Sequence, residues 1–177
     1  MKTTTESNPT SPWSLAVRSA LASGGVLLLT SIHHVYGAVI YETPWRLHMV
    51  AISAITALGL VGSLSLFRAR RDGALGTAAL GFFALLTLAL PVGMIGAYEG
   101  LYNHVLKNLF FFGGASTPVL HTLFPPPTYE LPNDFFFELT GNLQVVPAAL
   151  SLQFLMRMLK PWLRDRKRMA RALGVSH

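Results

Sequence analysis

From Met49 to Phe67 the chain runs without one charged residue. A segment this long and this bare is rare inside a water-soluble domain. It approaches the ~20 apolar residues that a helix needs to cross ~30 Å of hydrocarbon. Three further stretches resemble it, so membrane-spanning helices are predicted over about 15–41, 47–67, 74–106 and 135–160. Composition agrees: 51% of residues are hydrophobic and 12% charged, about half the ~25% charge of a typical soluble domain. An ordinary soluble enzyme is thereby excluded. With no cysteine, disulfides, thiolate nucleophiles, iron–sulfur clusters and zinc fingers are excluded as well.

The first apolar stretch exceeds the 7–15 residues of a signal-peptide core. It ends on His33, His34 and Tyr36 rather than on a small-x-small cleavage site, so it reads as a retained helix. Orientation follows from the basic residues. Arg68, Arg70 and Arg71 fall between the second and third helices. Arg157, Lys160, Arg164, Arg166, Lys167, Arg168 and Arg171 follow the fourth, while Lys2 and Arg18 precede or begin the first. Four crossings put all of these on one side and leave Arg46 and Lys107 on the other. The expectation is an all-α integral membrane protein, a four-transmembrane-helix bundle in a bacterial inner membrane with both termini cytoplasmic. A polar tail covers 1–12, and a basic tail over 161–177 lies against anionic lipid. The net charge of +6 is then a topology signal, and nucleic acid is not an expected partner.

The connection 107–134 is the long outer loop between helices three and four. It carries Phe110–Phe111–Phe112 and Pro125–Pro126–Pro127. Connections of this length are commonly functional, and this one is expected to serve as a lid or a docking surface.

On that topology the chemistry-bearing residues collect at one end. His33 and His34 close helix one, and His48 opens helix two. Glu99, Asn103 and His104 close helix three, and Glu138 and Asn142 open helix four. Ionisable groups inside a span are costly and point to function. Glu99 and Asn103 stand i,i+4 on one face. Glu138 and Asn142 repeat the spacing. His104, five residues beyond Glu99, lies roughly 140° around an α-helix; both face inward only if Pro91 or Gly100 distorts the helix. At the other end only hydroxyl residues such as Ser151 and Thr87, together with Gln153, are polar, and the hydroxyls are expected to bond back to their own helix.

Four chemistries are compatible with this set. Imidazole and carboxylate without thiolate suit a transition-metal ion such as Zn, Fe or Cu. Its ligands are drawn from His33, His34, His48, Glu99, His104 and Glu138, with Tyr36, Asn103 and Asn142 orienting them. The Glu-x-x-His spacing of carboxylate-bridged di-iron bundles is missing. A b-type haem would use His33 or His34 with His48 or His104 and slide along Gly93, Gly96 and Gly100. Metal-free acid–base chemistry would use Glu99 and Glu138 as catalytic carboxyls on a lipid-like or quinone substrate. An accessory role would make the chain a subunit of a larger membrane complex or a homo-oligomer. The sequence favours the metal site.

Overall fold

The structure, a computed structural model, describes residues 11–71, 73–126 and 129–172. Positions 1–10 of the expected polar tail and His177 lie outside the described residues. Four helices are long and apolar enough to cross a membrane: Pro12–Ile40, Pro44–Ala69, Ala74–Phe112 and Phe135–Pro161. No strand occurs among the described residues.

Helix α1 (Pro12–Ile40) starts at Ser11, whose hydroxyl accepts from the Ser14 amide at 3.1 Å, an N-cap followed by proline at the first helical position. A 3₁₀ turn, Pro44–Leu47, leads into α2 (His48–Ala69). Helix α3 covers Ala74–Phe112. The short α4 (Thr117–Leu123) lies in the following connection. Helix α5 (Phe135–Leu143) is capped by Asp134, whose carboxylate accepts from the Phe137 amide at 2.8 Å. Helix α6 (Val145–Ala172) continues after a break at Gln144. The break has a chemical cause: Pro147 has no N–H to bond back across the junction. The third helix thus extends past 106, taking Lys107–Phe112 from the predicted loop, and that loop contains a helix of its own. Helix α6 likewise runs well beyond 160.

Helices α1, α2, α3 and α6 pack as a ring, each against the next, and α5 fills the space between α1 and α3. The outer surface is apolar: Leu21, Val39, Ile55 and Leu58 are each at least 70% exposed. The interior mixes Phe83, Ile95, Val26 and Leu155 with fully buried Ser19, Ser23, Thr30, His33 and Gln144. That is the inverse of a soluble bundle and fits hydrocarbon as surroundings, where outward apolar faces cost nothing.

Between the α-helical stretches Ala74–Thr87 and Lys107–Phe112, α3 is wound with i→i+5 hydrogen bonds over Leu88–Leu106. The widening begins three residues before Pro91, whose ring would clash with the Thr87 carbonyl in a regular α-helix. Wide turns bring the α3 backbone against α6. A Cβ added at Gly96 would stand 2.2 Å from Ala148 Cβ. Small residues at such contacts let membrane helices approach closely.

Contrary to expectation, Ser151 does not bond back to its own helix. Its hydroxyl meets Ser23 Oγ at 2.7 Å, and Ser19 Oγ donates to the Ser151 carbonyl at 3.0 Å. These bonds clamp α1 to α6 at the end remote from the histidines. Gln153 is exposed.

Two glycine substitutions separate helix propensity from packing. Gly62→Ala on α2 meets nothing within 4 Å and gains helix propensity of ~1 kcal/mol. Gly96→Ala must overlap Ala148, at a cost of about 1–3 kcal/mol. Thermal unfolding of the detergent-solubilised protein is expected to shift up for the first and down for the second.

Candidate metal centre

Four of the six histidines and acids predicted as ligands converge on one carboxylate oxygen. Glu99 Oε1 lies 3.5 Å from His33 Nε2, 3.8 Å from His34 Nε2 and 3.6 Å from His104 Nε2. One ligand atom from each of His33, Glu99 and His104 falls within 4.8 Å of both others. His33 is fully buried and His104 nearly so. The widened turn of α3 makes this possible. In an i→i+5 helix, residues five apart return to nearly one face, so Glu99 and His104 both face the bundle without a sharp bend. Asn103 Nδ2 donates to Glu99 Oε2 at 2.9 Å and holds the carboxylate with Oε1 aimed at the imidazoles.

The far nitrogens of the rings are engaged. His33 Nδ1 is 3.1 Å from the Phe137 carbonyl oxygen and 3.1 Å from Thr140 Oγ1. A carbonyl only accepts, so Nδ1 carries the proton. The Thr140 hydroxyl is committed as a donor to the carbonyls of Phe136 and Phe137. His104 Nδ1 donates to Glu138 Oε2 at 2.8 Å, and Lys107 Nζ donates to Glu138 Oε1 at 2.9 Å. With both Nδ1 atoms protonated, the Nε2 atoms of His33 and His104 present lone pairs whenever the rings are neutral. In that state the lone pairs and Glu99 Oε1 face one another across 3.5 Å and 3.6 Å. His33 Nε2 has no hydrogen-bond partner. Three converging acceptors repel one another unless a proton or a metal ion sits among them.

Packing fixes each ring. The Phe137 ring stacks on His33 with centroids 4.0 Å apart. Gly37 makes room for it, since a Cβ there would come within 2.6 Å of Phe137 Cε2. Gly141 does the same for His104, whose Cγ would lie 2.3 Å from an added Cβ.

The other predicted residues divide. Glu138 stands behind His104, on the side away from Glu99, and orients the ring instead of joining the cluster. His48 is exposed, with Nδ1 2.5 Å from the Trp45 carbonyl; it lines the cavity in front of Glu99 but has no ion pair to that carboxylate among the described residues. Tyr36 donates to Asp134 Oδ2 at 3.2 Å and Asn142 accepts from Asn108 at 3.4 Å. Both lie outside the cluster. These positions correct the wider ligand and support sets drawn from sequence.

Three charged participants, Arg46, Lys107 and Glu130, were not predicted, nor were Phe137 and Thr140 beside His33. Arg46 and Lys107 are buried, at 5% and 2% exposure. Arg46 pairs with Glu130, and Lys107 Nζ also donates to the Glu130 carbonyl at 2.8 Å. They are the two bases that broke the sorting of positive charge, which was the available signal. Of the carboxylates here, Glu130 has Arg46 and Glu138 has Lys107. Glu99 alone is left with no lysine or arginine partner among the described residues.

Around this core the hydroxyls stay neutral. Burial pushes the Tyr41 phenol up to about 12, helped by the nearby Glu130 charge. Burial and the contact with Tyr98 also raise Tyr129. Tyr41 donates to Asn133 Oδ1 at 2.5 Å, and the Tyr129–Tyr98 hydroxyl contact ties the connection before α5 to α3. Comparison of the chain with known protein families, curated proteins and solved structures finds no match in any of the three.

Gly141→Ala tests the fit of the site. Helix propensity alone favours alanine by ~1 kcal/mol, but the added methyl collides with the His104 ring. Overpacking of about 1–3 kcal/mol is expected to win, giving a lower unfolding temperature; a rise would show that His104 does not sit against α5.

Proposed function

We propose that the protein is an integral membrane metalloprotein in which His33, Glu99 and His104 bind one transition-metal ion. A single observation carries the reading: two imidazole lone pairs, with their tautomers set by Phe137 and Glu138, converge with an otherwise uncompensated carboxylate. For bonds of ~2.0 Å in a tetrahedral site, ligand atoms stand about 3.3 Å apart. The distances of 3.5 Å and 3.6 Å from Glu99 Oε1 are close to that and need only slight contraction around an ion.

The second layer supports the same reading. A ligating histidine commonly donates its other N–H to a carboxylate or carbonyl. His104 does so to Glu138, His33 to Phe137. Two histidines and a carboxylate suit Zn or Fe(II). Three protein ligands leave a further position for water or substrate, which is the arrangement of catalytic and not of closed structural sites. His34 borders that position and the cavity in front of it. A haem is disfavoured because Glu99 occupies the space between the rings of His33 and His104, whose centroids are 4.6 Å apart.

In this reading the bundle lies in a bacterial inner membrane with both termini cytoplasmic and the metal centre near the opposite surface. The apolar outer face and the segregation of basic residues support it.

Protein purified without chelator is expected to hold about one equivalent of metal by elemental analysis. His33→Ala and Glu99→Ala should each abolish retention, while His48→Ala should keep it. Glu138→Gln should weaken affinity about 10–100-fold, since it loosens His104 without removing a ligand. Metal content below a tenth of an equivalent in every preparation would refute the centre.

Topology is testable because the chain has no cysteine. Ser116→Cys, in the connection before α4, should react with a membrane-impermeant maleimide in intact cells. Arg70→Cys, between α2 and α3, should react only after lysis. The reverse pattern would invert the orientation.

A further inference from the structure

A cavity of about 260 Å³ begins at the metal centre and ends on the flank of the bundle. At its inner end stand His34, Glu99 and His104. Its walls include Trp45 in the turn before α2, His48 and Met49 at the start of α2, and Met94 and Tyr98 on α3. Of these, Trp45, Met94 and Tyr98 are each about half exposed, while Met49 is buried. The mouth therefore lies between α2 and α3, on the side of the molecule whose surface is otherwise apolar.

Over the polar end the cavity is roofed. Tyr129 and Glu130 line it from above. Glu130 is anchored through its side chain to Arg46 and through its carbonyl to Lys107, and the Tyr129 hydroxyl meets that of Tyr98. Three tethers hold the roof on α3 and the turn before α2. These residues lie over the polar end, while the half-exposed Trp45, Met94 and Tyr98 border the flank.

We infer that the metal centre acts on a membrane-dissolved amphiphile, which enters between α2 and α3 from the bilayer and brings an oxygen-bearing head to the ion. This rests on the metal reading above and adds its substrate class. The volume is slightly under the ~300–1,000 Å³ of pockets that enclose whole drug-sized ligands. It admits a head group and the first methylenes of a chain, and the remainder of the chain leaves through the mouth into lipid. Unbranched methionine walls suit a flexible chain.

The test uses the full chain in phosphatidylcholine nanodiscs, with cobalt(II) as the reporter metal and hydroxamates as probes. Acetohydroxamate and octanohydroxamate share a metal-binding head and differ in chain length. Both should change the cobalt absorption spectrum, and octanohydroxamate should bind about a hundredfold tighter, at roughly three- to fourfold for each methylene buried. Met49→Trp and Met94→Trp, which fill the passage from its buried and its exposed side, should each retain the cobalt spectrum and lose most of the chain-length preference. Equal affinity of the two hydroxamates in the parent protein would overturn the inference while leaving the metal centre intact. A preference that survives both tryptophan variants would do the same, since it would reflect partition into the bilayer alone. Failure of the parent to hold cobalt would overturn both.

Discussion

A carboxylate inside a low-dielectric bundle is the constraint on which the rest of this architecture depends. An isolated buried charge costs several kcal/mol or more, and among the described residues no lysine or arginine pairs with Glu99. Asn103 satisfies one of its oxygens. The other is met only by imidazole nitrogens, two of them with their protons committed elsewhere. The neighbouring charges are arranged to keep this so. Lys107 neutralises Glu138 and Arg46 neutralises Glu130, leaving one negative charge and two lone pairs aimed at one point. Such an arrangement repels itself until a cation, a proton or a metal ion, is shared among its members.

Geometry at that point is set by backbone as much as by side chains. The wide winding of α3 from Leu88 to Leu106, started by Pro91, turns Glu99 and His104 onto one face. The break at Gln144, imposed by Pro147, frees α5 to lean between α1 and α3. There it supplies Phe137, Glu138 and Thr140 to the two histidines. Gly37 and Gly141 are the points where a ring from one helix passes close to the backbone of another. At the opposite end the same helices are held by the Ser19–Ser23–Ser151 hydroxyls and by the contact of Gly96 with Ala148. The bundle is thus tight at that end, and beside the histidines it opens a cavity.

Much of this was legible in the residues. The length and bareness of four stretches, the sorting of basic residues and the gathering of histidines and acids at one end are one-dimensional patterns. Each follows from the cost of placing charge in hydrocarbon. The pairing of Glu99 with Asn103 was readable from helical spacing. A distortion of the third helix near Pro91 was also legible, and the structure shows it as the wide winding over Leu88–Leu106; the separate roles of the polar residues were not. Glu138 and Asn142 share the spacing of Glu99 and Asn103, yet Glu138 only backs His104 and Asn142 bonds to Asn108, because α5 is a short separate helix. Lys107 was counted as a loop cation since its charge seemed to end the span; Glu138 and the Glu130 carbonyl accept that charge inside.

By itself, then, the sequence determined the class of molecule: apolar helices, one polar end, and histidine and glutamate as the available chemistry. Those are properties of single segments in a solvent. Only the tertiary structure decided which histidines meet Glu99, that Glu138 orients His104 from behind, and that His48, Tyr36 and Asn142 stand apart. Such choices depend on distances between residues up to about a hundred positions apart, as between His33 and Thr140. They depend too on a helix whose turn departs from the regular period, and no spacing rule for a regular helix encodes either.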